Sequence, residues 1–253
     1  MRVFAVSDIH VDYEENLNWI LSLDNEEYAN DILILAGDVT DKMPLLERVL
    51  VSLAASFKTV LFVPGNHELW VRKDDFDCSL EKFEAITELC KSCGVYSDVF
   101  ELLDISFVPF FSWYDFSFGE PDGHLRRAWR DFRECSWPEH LTESQDVTDY
   151  FLKLNSPKLN IINKTVISFS HFLPRIDVMP AGIPVKRRNV YPVLGSEALG
   201  VQVQKLSPTI HVYGHSHVNQ DIDLDGIRYV NNAFAYPSES QISRKQLKCI
   251  YES

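Results

Sequence analysis

Positive charge is scarce in this sequence. Its 24 lysines and arginines face 37 aspartates and glutamates over 253 residues, a formal net charge of −13 with a pI near 5.0. That excludes nucleic acid and anionic membrane as principal partners, because phosphate-backbone binding needs a basic footprint. An anionic substrate would then need local positive charge, such as metal ions. Cysteine is sparse and odd in number: Cys78, Cys90, Cys93, Cys135 and Cys249 follow no disulfide-framework spacing, which fits a reducing compartment. Cys90-Lys-Ser-Cys93 has no second CxxC and falls at a predicted helix end, so it reads as core packing rather than a zinc or redox site. No apolar run approaches membrane-spanning length, and Met1 leads straight into the first strand, with no room for a signal or transit peptide. Internal repeats and low-complexity segments are missing too. The expectation is a soluble, cytoplasmic protein.

What is present is apolar and patterned. With 45% hydrophobic and 12% aromatic residues the chain is long enough for one sizeable core, read as a single domain over residues 1–253. Its organising stretch is Asp31-Ile-Leu-Ile-Leu-Ala-Gly-Asp38-Val-Thr-Asp41, a run with the near-continuous apolar character of a strand buried on both faces. Gly37 lets the backbone turn where the sheet stops. Ligands of open α/β sheets sit outside the carboxyl ends of the strands, which is where Asp38 and Asp41 fall. Four more apolar runs end in the same manner: at Asp8-Ile-His10, at Gly65-Asn66-His67-Glu68, at His171, and at Gly214-His215-Ser-His217.

Between these runs the periodicity changes to helical, over Glu14 to Leu23, Lys42 to Phe57 and Ser79 to Cys93. Strands alternating with helices of this length indicate parallel βαβ crossovers. Short strands are expected near Val99 to Leu103 and Ile105 to Pro109, a short helix near Ser196 to Lys205, and a hairpin about Asp225-Gly226. From Phe110 to Asn160 the character shifts to aromatics, prolines and paired arginines. This segment reads as an insert with one helix over Leu125 to Cys135 and a second opened by a Thr142-x-x-Gln145 capping box. A long connection with its own helices beside an active edge suits a lid or specificity element. Arg126, Arg127, Arg130 and Arg133 interleave with Asp131 and Glu134 and read as a solvated, salt-bridged face. Arg126, with Arg187 and Arg188 of the Lys186 to Arg188 loop, remains a candidate substrate contact.

Asp8, His10, Asp38, Asn66, His67, His171, His215 and His217 supply carboxylate, imidazole and amide without thiolate. Such donors suit Mn, Fe or Zn in an open site rather than a structural cysteine-type zinc. They are too many for one ion, and Asp38 has two oxygens with which to bridge a pair about 3.5–4 Å apart.

The ordered series Asp8-x-His10, Gly37-Asp38, Gly65-Asn66-His67-Glu68, His171 and Gly214-His215-Ser-His217 resembles the signature of the calcineurin-like metallophosphoesterase superfamily, from the first strand to Val218. The resemblance implies a four-layer α/β/β/α sandwich. It also implies one metal held by Asp8, His10, Asp38 and His217 and another by Asp38, Asn66, His171 and His215. It assigns His67 to the leaving group, oriented by Asp41. Two departures narrow the subfamily. Lys42 stands where protein Ser/Thr phosphatases of the superfamily have Arg, and the two are not equivalent for bidentate phosphate binding. Asp41 stands where purple acid enzymes have Tyr. The expected function is a dinuclear metal-dependent phosphoesterase, a phosphatase or phosphodiesterase acting on a small phosphate mono- or diester by in-line attack of a metal-bridging hydroxide. The alternative is a scaffold or interaction module on the same fold.

Overall fold

The computed structural model describes residues 1–253. Three buried runs, β1 (Arg2–Val6), β2 (Ile32–Leu35) and β3 (Thr59–Phe62), pair in parallel, linked by α1 (Glu14–Leu21) and α2 (Met43–Ser56), with α3 (Ser79–Ser92) following β3. The second sheet contains β4 (Phe100–Leu102), β5 (Ile105–Pro109), β6 (Thr165–Phe169), β7 (Ile210–Tyr213), β8 (Gln220–Leu224) and β9 (Ile227–Asn231), in the order β4-β5-β6-β7-β9-β8. Its four central strands are parallel and its edges antiparallel. Asp225 and Gly226, at φ 51° and 81°, form the tight turn of the β8–β9 hairpin, whose primed geometry needs positive φ at both positions.

Because alternate strand residues point to opposite faces, each sheet serves two cores. Val3, Ile34 and Leu61 of the first sheet meet Phe107, Ile167 and Val212 of the second in a dry layer between them. The other face, with Leu33, Leu35 and Phe62, packs on α1, α2 and α3. Across the molecule, Val108, Val166 and Tyr213 pack on Leu199 and Val203 of α7 (Glu197–Leu206). The result is the four-layer α/β/β/α sandwich. Each fully buried aliphatic side chain contributes about 1.5–3 kcal/mol, so truncating Ile34 at the centre should cost about 2–5 kcal/mol. No helix is long and apolar enough to cross a membrane.

Three features depart from the sequence expectation. A further strand, β10 (Lys248–Glu252), adds antiparallel to β1 at the sheet edge; only Ile250 of its five residues is buried, so its pattern is faint. The helix expected over Leu125 to Cys135 is two: α4 (Gly123–Ala128), capped by Asp122, and α5 (Asp131–Glu134). Between them Trp129 takes an extended backbone (ψ 123°), while its indole N–H donates to Asp131 Oδ2 at 2.7 Å. The capping box of α6 (Ser144–Asn155) sits one residue late, on Glu143 and Asp146, with Gln145 bonded instead to Asp149.

Candidate metal centre

The carboxyl ends of β1, β2, β3, β6 and β7 converge, and the backbone turns sharply at each. Asp8, His10, Asp38, His215 and His217 all have positive φ, between 46° and 66°, a region costly for residues other than glycine and concentrated at functional sites. Glycines let the strands approach. A Cβ at Gly65 would collide with Asp38 Oδ1 and come within 2.8 Å of the His171 ring. The loops after β2 and β3 are clasped by Glu68, fully buried, whose carboxylate accepts the backbone N–H of Asp38, Val39, Thr40 and Gly65 at 2.6–3.0 Å. Burial raises the Glu68 pKa and these four donors oppose the rise.

Donor atoms assemble into three overlapping groups, Asp8–His10–His217, Asp38–His171–His215 and His10–Asp38–His67, each within 4.8 Å. Asn66 joins the second, its Oδ1 lying 3.2 Å from His171 Nε2. Backbone carbonyls decide the tautomers there. His171 Nδ1 donates to Ala36 O at 2.9 Å and His215 Nε2 to Val193 O at 3.0 Å. The remaining nitrogens, His171 Nε2 and His215 Nδ1, therefore face each other as lone pairs 3.0 Å apart. Asp38 Oδ1 lies 3.4 Å from the first of them. Lone pairs, a carboxylate and an amide oxygen converging without a hydrogen between them fit a cation.

In the other group His10 Nε2 and His217 Nε2 lie 3.0 Å apart. Glu239 takes His217 Nδ1 at 2.6 Å. Against the burial that lowers it, contact with Asp8 and Glu239 pushes the His217 pKa up to about 9, so a metal ion at Nε2 has to displace a proton. Burial, with Glu68 and Asp8 nearby, pushes Asp38 well above the usual carboxylate range, a cost that a cation relieves.

Two carboxylates that orient these residues were not singled out from sequence. One is Glu239, 22 positions beyond His217. Substituting Glu239→Ala should weaken the Asp8–His10–His217 group about 10–100-fold, as loss of an orienting partner does, and Glu239→Gln should weaken it less, because a Gln carbonyl in place of Oε2 can still accept from both His217 Nδ1 and Tyr236 N. Calorimetric titration with Mn²⁺ checks this, and unchanged affinity would refute it. The other is Asp131, expected on a solvated face but 3% exposed. Its Oδ1 accepts from Asn66 Nδ2 at 2.8 Å and Trp70 Nε1 at 2.7 Å, so it turns Asn66 Oδ1 toward His171.

Other assignments also change. Asp41 makes no hydrogen bond to His67; its Oδ2 pairs with Lys73 at 2.7 Å and its buried Oδ1 has no partner. His67 is held instead by stacking on Trp70, ring centroids 3.8 Å apart, and by its backbone N–H, which donates to Asp38 Oδ1 at 3.0 Å. The cleft above the donors, about 400 Å³, is walled by Trp70, Trp129, Arg130, Val190, Leu194 and Tyr236 among others. Arg126, Arg187 and Arg188 are outside it. Arg126 lies over the Phe116 ring at 5.3 Å, and Arg188 binds the carbonyls of Ile183 and Ala181. Lys42 pairs with Asp12 at 2.9 Å, away from the cleft.

A family model described as calcineurin-like phosphoesterase matches residues 1–219. The chain is 24% identical over 269 residues to the [acyl-carrier-protein] phosphodiesterase PptH of Mycobacterium tuberculosis, covering 94% of this chain and 78% of that one. The crystal structure of that phosphopantetheinyl hydrolase superposes with a TM-score of 0.85 at 23% identity, over 100% of this chain and 96% of that chain. A purple acid phosphatase from yellow lupin (Lupinus luteus) seeds gives 0.52 at 14% identity, over 91% and 43%.

Proposed function

This chain belongs to the calcineurin-like phosphoesterase family and is a phosphoric ester hydrolase, and we propose that it cleaves a phosphodiester joining a phosphopantetheine-type arm to a carrier protein. The observation that carries the metal-dependent part is the convergence of His171 Nε2, His215 Nδ1, Asn66 Oδ1 and Asp38 on one point with no proton between them. Asp8, His10, Asp38 and His217 would hold one ion, and Asp38, Asn66, His171 and His215 the other, with Mn, Fe and Zn as the candidates. Bound ions supply neutralisation of phosphoryl charge and acidification of water. A scaffold with a decayed site has no support in this donor set.

The substrate class rests on the relative's activity and on the cleft. A phosphate bound over the donors would extend its ester arms along Trp70, Trp129, Val190 and Leu194. Such a wall suits a long, partly apolar arm better than a bare monoester. This replaces the small phosphate ester expected from sequence with a larger, protein-linked diester. The segment 110–160 then acts as the specificity wall of a single domain, and the five free cysteines fit a cytoplasmic setting. Incubating metal-loaded protein with a phosphopantetheinylated carrier protein, bis(4-nitrophenyl) phosphate and 4-nitrophenyl phosphate tests the reading. The carrier protein should lose the mass of its arm and the diester should outrun the monoester; a monoester preference with an intact carrier protein would overturn it.

His67 is proposed to protonate the leaving oxygen. Burial and the surrounding imidazoles hold its pKa well below the ordinary value, and a phosphate anion at its edge favours the protonated form. His67→Ala should keep its metal content and lose about 10²–10⁴-fold on alkyl diesters, but much less on nitrophenyl esters. A rate loss independent of leaving-group pKa, or loss of metal, would remove His67 from this role.

A further inference from the structure

Six cations that fall outside the cleft, together with Arg130 of its wall, share one rim. Arg126, Arg127, Arg130 and Arg133 lie on and after α4, with Asp131, which is buried, and Glu134 in the same stretch and Glu120 and Asp122 just before the helix. Lys186, Arg187 and Arg188 lie on the 3₁₀ turns of Val185–Val193, a stretch with no acid at all. All seven are exposed. Only Arg130 has a carboxylate in ion-pair range, Glu134 at 3.3 Å. Elsewhere in this chain of net charge −13 pairing is commoner: ten of the other seventeen cations engage a carboxylate, Arg2, Lys42, Lys73, Lys82, Arg175 and Arg228 among them.

The two cationic segments are neighbours in space. Glu120 and Asp122, at the start of α4, and Arg188 line one shallow depression, while Trp129 and Val190, one from each segment, both wall the metal cleft. The guanidinium groups do not converge, Arg126 lying over Phe116 and Arg188 against its own loop, so a small anion finds no site among them. Seven positive charges, six of them without an ion-pair partner, spread beside the mouth of a cleft and outnumbering the nearby acids, suit a broad anionic surface.

We propose that this rim is the docking surface for an acidic protein, which presents its phosphodiester-linked arm to the cleft. The proposal rests on the phosphodiesterase reading above. A nucleic acid matches less well, because a charged rod extending past so compact a patch would run over an otherwise acidic surface.

The test uses the full chain and its charge-reversed variant R126E/R127E/K186E/R187E, none of these residues belonging to the metal or cleft machinery. Binding of an acyl carrier protein without its arm is followed by fluorescence anisotropy, and turnover of bis(4-nitrophenyl) phosphate is measured beside it. The wild-type protein should bind, more weakly as salt rises from about 50 to 300 mM. The variant should lose about tenfold or more in affinity and keep its small-diester turnover within about twofold, the latter showing an intact site. The neutral variant R126Q/R127Q/K186Q/R187Q should fall between the two. Absence of salt-sensitive wild-type binding, equal affinity of wild type and variants, or tighter salt-sensitive binding of an oligonucleotide duplex at the same residues would overturn the proposal. Failure of the wild type on every phosphodiester would instead sink the reading beneath it, because carrier binding is read without turnover.

Discussion

Asp38→Asn should strip metal from both donor groups and reduce turnover about 10³-fold or more, several kcal/mol of lost charge stabilisation. Asp38 belongs to the His171–His215 group and, beside His10, adjoins the Asp8–His10–His217 group, with Oδ1 3.4 Å from His171 Nε2 and Oδ2 turned toward the His67 side, 3.8 Å from its Nε2. The substitution preserves local structure: Asn tolerates the left-handed backbone at φ 56°, and its carbonyl can still accept the His67 N–H that Asp38 Oδ1 accepts at 3.0 Å. A distinctive consequence follows from the electrostatics. Burial, then Glu68 and Asp8, make ionised Asp38 costly, so removing its charge should leave the metal-free melting temperature unchanged or higher. The rise in melting temperature that Mn²⁺ gives the wild type by binding the folded state should then vanish in the variant. Elemental analysis with melts at and without saturating Mn²⁺ decides it; two ions retained per chain would remove Asp38 from its shared position.

Asp131→Asn should be the most damaging change in the insert. The carboxylate accepts from Asn66, Trp70 and Trp129 at 2.7–2.8 Å. An amide in its place has one accepting oxygen and turns its own N–H groups toward donors. Each buried donor left unpaired costs about 1–3 kcal/mol, so the melting temperature should drop. The freed Asn66 amide can rotate, and metal affinity at the His171–His215 group should fall about 10–100-fold, with the Asp8–His10–His217 group little changed. A variant holding about one ion per chain carries that signature. If it melts lower but keeps both ions at unaltered affinity, Asp131 is structural and does not position Asn66.

Asp8, His10, Asp38, Asn66, His171, His215 and His217 could be singled out from sequence because each terminates an apolar run, and a parallel sheet sends the ends of its strands to one edge. The same logic does not reach Glu239 or Asp131. Glu239 comes from a short 3₁₀ turn, with no strand to announce it. Asp131 alternates with arginines in a pattern identical to that of a solvated helix; its burial depends on Asn66 and Trp70 approaching from a distant segment. Asp41 shows the converse failure. Its position in the motif paired it with His67, yet Lys73, on the loop after the His67 turn, takes its carboxylate at 2.7 Å, a choice of partner set by side-chain reach across loops. The arginines were visible as a cluster from the start, but whether they pointed into the cleft or lined its rim depended on where α4 breaks at Trp129. Local sequence determined the strands, the turns at their ends and the donor chemistry, because hydrophobic period and backbone preference act over a few residues. Tertiary structure decided which carboxylates orient the donors, how the histidine tautomers are held and which cations face outward, because those contacts join residues from 22 to 135 positions apart and only the packed fold brings them within a hydrogen bond.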